Sequence, residues 1–362
     1  MHGSNPFSRI LFISIALFVM RGIFLMIVWR GGVSFGVHLK PRMLLLLSLG
    51  LLGIVATSFS MNMFFGKSTE ILGAVLLWII YALWVISPLL IARDLISFWH
   101  KIPPIVMIIL SVLWVGSGIY YGVTIRTTPL SLSNPALKKD HNIVFISDLH
   151  VESVRNRGYI QKIVDRIQKI KPDFVILGGD LMNTAKASYV EAFLPFNQLK
   201  MPVYATLGNH DNMGDSDAVL QIFEKTKIKV LRNQSVDIDG IQVVGIDDKS
   251  YRNSKKLFEI LDESNIASDQ AYTILISHQP QKLSKLAGYP IDLELAGHTH
   301  NGQFFPFSLI IPLLNDYSYG TYRENGMTAF VSQGIGTWGA PIRIGTQSEL
   351  VLISLKKAPA TK

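Results

Sequence analysis

The rhythm of hydrophobic positions changes near residue 124. Before it, apolar residues run in long blocks, 10–29, 43–65, 71–92 and 102–123. Each is close to the ~20 residues that an α-helix needs to cross the hydrocarbon core of a bilayer. The pattern predicts a four-helix transmembrane domain over residues 1–123. After it, the apolar runs shrink to a few β-branched and aromatic residues. Residues 143–146, 174–177, 203–206, 274–276 and 293–296 read as buried strands, with later strands over 242–246, 328–332 and 350–355. Between them, 158–170 places Ile160, Ile163, Val164, Ile167 and Ile170 on one helical face, and 217–226 and 255–263 are further helices. Alternating units followed by a late run of strands suggest two sheets packed together with helices outside. Residues 124–141 carry Pro129 and Pro135 among serines and threonines and lack periodicity, which predicts a linker. The α/β domain then occupies 142–356, and 357–362 form a tail.

Composition sharpens this division. The chain is 49% hydrophobic with mean hydropathy +0.33, too apolar for an ordinary soluble protein. Trp29, Trp78, Trp84, Trp99 and Trp114 all fall in the first part, several near block ends, as interfacial anchors do. Arg21 interrupts the first block, a cost of roughly 2.5–3.5 kcal/mol in mid-membrane. No small-residue cleavage site follows it, so the block reads as a retained helix rather than a leader.

Charge is divided in the same way. The net +8 of the chain lies within residues 1–141, which hold 11 Lys and Arg against 3 acids, while 142–362 hold 23 of each sign. The basic surplus is therefore a topology and lipid-headgroup signal, and the α/β part carries no nucleic-acid footprint. The basic loops 30–42 and 93–101 slightly favour an extracytoplasmic α/β domain on a multi-pass protein of the cell (inner) membrane. Absence of cysteine excludes thiolate ligands and a cysteine nucleophile and is compatible with either compartment.

The candidate chemistry sits at the ends of the predicted strands. In order come Asp148-Leu149-His150, Gly179-Asp180, Gly208-Asn209-His210-Asp211, His278 and Gly297-His298-Thr299-His300. Carboxylate, amide and imidazole ligands together suit divalent ions such as Mn, Fe or Zn. Open α/β sheets place their sites beyond strand ends. Seven ligands, one able to bridge, are enough for two ions, the usual device for clamping a phosphate ester during in-line hydrolysis. Asp247 and Asp248 follow a strand and read as turn carboxylates more readily than as substrate contacts. Phe304, Phe305 and the apolar run to Leu314, with its prolines, are unsuited to a central strand. They read either as a loop packed under the site or as a wall that receives acyl chains.

The full series resembles the calcineurin-like metallophosphoesterase superfamily, over roughly 142–356, with no ligand replaced. The resemblance implies an αββα sandwich of two mixed sheets and two divalent ions (Mn, Fe, Zn or Mg). It implies Asp148, His150 and His300 on the first ion, Asn209, His278 and His298 on the second, and Asp180 bridging. His210 would be the proton donor or phosphate contact, oriented by Asp211. The Asn301-Gly302-Gln303 continuation resembles the membrane-anchored branch, which includes hydrolases that cleave UDP-diacylglucosamine. The expected activity is hydrolysis of a phosphodiester or pyrophosphate bond in a phospholipid or lipid-linked substrate, with Asn301, Phe304 and Phe305 as substrate contacts. A tethered phosphodiesterase of soluble nucleotides and a non-catalytic scaffold or sensor are the alternatives.

Overall fold

The computed structural model describes residues 102–359, apart from 153–154, 184–188, 213–215, 249–253 and 264–270, together with Leu89, Ala92, Arg93 and Ile96. The predicted spans 10–29 and 43–65 lie outside the described residues, as does 71–92 except for Leu89 and Ala92, both helical. The chain divides into two units, Met1–Gly118 and Ile119–Lys362.

Helix α1 (Pro104–Val123) begins on a proline, whose fixed φ and missing N–H suit a first helical turn, and carries no charge over 20 residues. Its segment Ile105–Val123 has mean hydropathy 1.9. Among the described residues it is the one helix long and apolar enough to cross a membrane, by length and composition.

The second unit then runs β1 (Arg126–Asn134), β2 (His141–Ile146), α2 (Arg157–Ile170), β3 (Phe174–Gly178), α3 (Val190–Phe193) and β4 (Val203–Thr206). It continues with α4 (Ser216–Glu224), β5 (Ile228–Val230), β6 (Gln234–Ile238), β7 (Ile241–Gly245), α5 (Ser254–Glu263) and β8 (Tyr272–Ile276). It closes with α6 (Leu283–Leu286), β9 (Leu293–Ala296), α7 (Phe307–Leu314), β10 (Gly320–Glu324), β11 (Met327–Val331) and β12 (Glu349–Lys357). Two mixed six-stranded sheets result, ordered β1-β12-β2-β3-β4-β5 and β10-β11-β9-β8-β7-β6.

Strand alternation builds the core on both faces of each sheet. Ile143 and Phe145 of β2 join Ile274, Ile276 and Leu295 of the other sheet in one buried cluster. Val144 and Ile146 turn the other way, onto Ile160, Ile163, Val164 and Ile167 of α2. On the far side of the second sheet, Val244 and Leu275 meet Leu257 and Leu261 of α5. Asn156 caps α2, its side-chain oxygen accepting from Gly158 N at 3.1 Å.

Two expectations need correction. Residues 124–141 are not a free linker. They contain β1, which pairs in parallel with β12 from Arg126↔Glu349 to Asn134↔Lys357. β1 is an edge strand, where a proline such as Pro129 is tolerated because one side of the ladder is open. The apolar run after Phe305 is not a loop but the short helix α7, with Pro312 inside it.

Candidate metal centre

The ligand residues gather where parallel strands of both sheets end. β2, β3 and β4 deliver Asp148, Asp180 and Asn209, while β8 and β9 deliver His278 and His298. Backbone bonds tie neighbouring ends together, Asp148 N to Gly179 O and His150 N to Asp180 O, both at 2.9 Å. Asp148, His150, Asp180, His298 and His300 all adopt left-handed backbone, with φ between 47° and 72°. Non-glycine residues there cost free energy and concentrate at functional sites. Glycines let the strand ends approach: a Cβ on Gly208 would run into Asp180, and one on Gly297 into Asp148 and Ser147.

The side chains form three overlapping groups, each with ligand atoms within 4.8 Å of one another: Asp148, His150 and His300; His150, Asp180 and His210; Asp180, His278 and His298. His150 Nε2 faces His300 Nε2 at 3.0 Å, and His300 Nε2 lies 3.4 Å from Asp148 Oδ1. His278 Nε2 is 3.2 Å from Asp180 Oδ2 without hydrogen-bonding geometry, and Asn209 Oδ1 is buried with no hydrogen-bond partner.

Partners on the far side of each ring set its tautomer. His150 Nδ1 is 2.7 Å from Asn183 Oδ1, so it carries the proton and leaves Nε2 as a lone pair. His278 Nδ1 donates to Gly178 O at 2.9 Å, with the same result. Buried lone pairs converging with carboxylate oxygens and an orphaned amide oxygen fit divalent cations. The shared position of Asp180 in two of the groups fits a bridging carboxylate.

Electrostatics agree for three of the four ligand histidines; His278, drawn by two carboxylates, holds its second proton until a cation replaces it. Burial pushes His150 and His298 down to about 3 and holds His300 well below its ordinary range, so all three imidazoles are neutral near pH 7. Burial also raises the Asp148 carboxyl. For Asp180 burial acts in the same direction, but the charge of His278 beside it overcomes burial and holds the group below the usual carboxylate range. His278 is the counterpart: burial would lower it, and Asp180 and Asp148 raise it instead.

His210 stands beside the groups, half-buried, its ring edge-on to His150 at 5.0 Å. Its N–H donates to Asp180 Oδ1 at 2.8 Å and its Nδ1 to Asn183 O at 3.2 Å. Asp211 does not orient it. The buried Asp211 carboxylate accepts from Gly208 N, Leu181 N and Met182 N at 2.9–3.1 Å, stapling two ligand loops together. Three backbone donors outcompete one imidazole for a carboxylate held between two strand ends.

The expected substrate contacts separate. Asn301 and Phe305 are partly exposed at the ligand turn. Phe304 is buried, 5.5 Å from Phe307 and 5.8 Å from Trp338, so it packs within the protein beneath the turn. Ser277 gives its hydroxyl proton to Gln279 O at 2.6 Å, which does not activate it as a nucleophile. Asp247 is a structural carboxylate, paired with Arg232 and accepting from Asn212 Nδ2 at 2.9 Å.

Several supports had no signal in the spacing. Asn183 holds both His150 and His210 and donates to Glu152 Oε2 at 2.6 Å. Arg155 is buried, donating to His150 O at 3.0 Å and to Thr337 Oγ1. Arg343, fully buried, donates to Gln333 O, Gly334 O and Gly336 O, and faces His300 Nδ1 at 3.3 Å. The only sequence trace of these partners is position: Asn183 is three residues beyond Asp180, and Arg343 follows a glycine-rich stretch.

The calcineurin-like phosphoesterase family profile matches residues 141–302, which hold every residue of the three ligand groups. A metallophosphoesterase of Campylobacter jejuni is 31% identical over 260 residues, covering 69% of this chain and 68% of the relative. The chain belongs to the calcineurin-like metallophosphoesterases. One from Helicobacter pylori is 32% identical over 246 residues, covering 66% of each chain. A zebrafish (Danio rerio) transmembrane protein with a metallophosphoesterase domain is 32% identical over 232 residues, 60% of this chain and 53% of that one. The chain thus spans about two thirds of the length of these bacterial relatives. Membership places it among phosphoric-ester hydrolases that use divalent metal.

Proposed function

We propose that this metallophosphoesterase is a membrane-anchored enzyme that hydrolyses a phosphodiester or pyrophosphate bond of a phospholipid or lipid-linked substrate. The observation that carries the chemistry is the set of three overlapping ligand groups with Asp180 common to two of them. Two divalent ions, one on Asp148, His150 and His300 and one on Asn209, His278 and His298, would supply Lewis acidity and a nucleophilic water at neutral pH. The chain's own residues do the rest. Asp180, common to two of the groups, would hold both cations and offset their repulsion. His210, whose Nδ1 donates to the Asn183 carbonyl, would serve as the proton donor to a leaving oxygen in its imidazolium form, in which Nε2 also carries a proton. Asp211 keeps the loops of Asp180 and His210 in register.

Membrane attachment rests on α1 and on the apolar blocks of residues 1–101, with the hydrolase domain on the extracytoplasmic side in this reading. The test is hydrolysis of a panel of phosphodiesters and pyrophosphates by the purified full chain with added Mn, with lipid substrates presented in detergent. Turnover of lipid-linked esters well above that of soluble nucleotides is expected. Preference for soluble nucleotides would replace the lipid reading with a tethered nucleotide phosphodiesterase. No turnover on any ester, with metal bound, would point to a scaffold.

A further inference from the structure

Helix α7 differs from every other short helix of the second unit. Its sequence, Phe307 to Leu314, holds no charge, and none of its residues is buried. Leu309, Ile310, Leu313 and Leu314 are 61%, 40%, 83% and 73% exposed. A surface helix on a water-soluble face carries one apolar stripe and a polar remainder. α7 is apolar but for Ser308, which faces Gly345, and this suits an apolar medium better than a protein partner on one side.

What lies next to α7 identifies that medium. Residues 341–345 form a strap with two ends. At one end, Pro341 abuts Gly122 in the last turn of α1, so closely that a Cβ on Gly122 would strike its carbonyl. At the other end, Phe305 N donates to Ile344 O at 3.0 Å, Ile344 N donates to Gln303 O at 3.1 Å, and Gly345 comes up against Ser308 of α7. The strap therefore connects α7 to the C-terminal turn of the candidate membrane span. That turn presents Tyr120 and Tyr121, 59% and 42% exposed, the residue type that marks a membrane–water interface. α7 has 8 residues, about 12 Å of helix, too short to cross a bilayer and suited to lying in its surface.

The helix is also joined to the site. Gly302 has φ +76°, and a Cβ there would collide with the Phe307 carbonyl, so the start of α7 rests directly on the turn that carries His300. We propose that α7 is an in-plane anchor: it inserts into the lipid headgroup–acyl boundary and holds the metal-ligand turn against the bilayer surface, where the phosphoester of a membrane lipid would meet it. This deepens the lipid reading above and rests on it for the substrate, but the insertion itself is measured without turnover.

The absence of cysteine permits single-site labelling. Full-length Leu313→Cys, with Leu309→Cys as a second reporter and Lys162→Cys on the exposed face of α2 as control, would carry an environment-sensitive fluorophore in lipid nanodiscs. Thermal unfolding confirms that each variant is folded. At positions 313 and 309 the expected result is a blue-shifted emission quenched by doxyl-labelled lipid and protected from aqueous iodide, with the reverse at 162. Quenching of 313 and 309 by iodide alone would overturn the proposal. Protection from both quenchers would also overturn it, by showing that α7 is covered by protein, either the rest of this chain or a second copy. Lipid quenching without hydrolysis of any lipid ester would leave the anchor standing and remove the substrate reading. Lipid hydrolysis without lipid quenching would remove the anchor alone.

Discussion

His210 and Asp180 lie in the same cluster but do different work, and single substitutions separate them. His210 is held by its backbone N–H on Asp180 and by Nδ1 on the Asn183 carbonyl, so removing its ring leaves the other ligands supported. His210→Ala should keep its metal and lose rate by about 10²–10⁴-fold, the range of a general acid. Asp180→Asn should lose metal and activity together, because one of the two oxygens shared between the groups becomes an amide nitrogen. Metal analysis beside kinetics on both variants checks this, and an emptied site in His210→Ala would make His210 a ligand. Asp211→Ala tests the staple. It would strand three backbone N–H groups now bonded to a buried carboxylate, at about 1–3 kcal/mol each before relaxation. A fall of many degrees in the unfolding midpoint is expected. A variant of unchanged stability with only slowed turnover would return Asp211 to the role of orienting His210. The sequence made the ligands legible because each motif follows a short buried run, and three of the five open on a glycine. It did not reveal Asn183, Arg155 or Arg343, whose importance comes from distant contacts that no local spacing encodes.

At the scale of elements, strands were easier to read than their surroundings. β2, β3, β4, β8 and β9 are buried along their length or nearly so, and continuous apolar runs announce such strands. β1 escaped notice because an edge strand alternates and accepts proline. β6 and β10 are half-exposed and polar, so their patterns resemble loops. α7 was hidden because its prolines and uniform apolarity imitate a buried segment. β9 carries one costly feature within its apolar run. Glu294 is fully buried; its Oε1 accepts from Gln281 N at 2.7 Å and its Oε2 has no hydrogen-bond partner. Burial pushes it up to about 8 from the ordinary 4.5. Between those values the folded state keeps a proton that the unfolded state releases. The favourable contribution is therefore complete below about pH 4.5 and is lost as pH rises through about 8, with a slope of up to about 1.4 kcal/mol per pH unit. Glu294→Gln cannot ionise and should flatten this decline. Unfolding midpoints of both proteins from pH 5 to 9 decide it: the two curves should separate toward high pH, and parallel curves would mean that Glu294 is ionised throughout or hydrated.

At the scale of the whole molecule, the site exists only because two sheets meet. The first sheet supplies Asp148, His150, Asp180 and Asn209, and the second supplies His278, His298 and His300, all within the stretch that matches the family. The motif order carried that arrangement because strand ends of parallel sheets converge, whereas residues 1–123 were legible only as length and apolarity. Asp180 is placed to lie between two cations. The most direct measurement is the number of divalent ions retained per chain after saturation with Mn and removal of free metal, by elemental analysis of the full-length protein and of Asp180→Asn. Two ions per chain in the native protein, and fewer in the variant, are expected. At most one ion in the native protein, or two retained by the variant, would contradict a bridged pair.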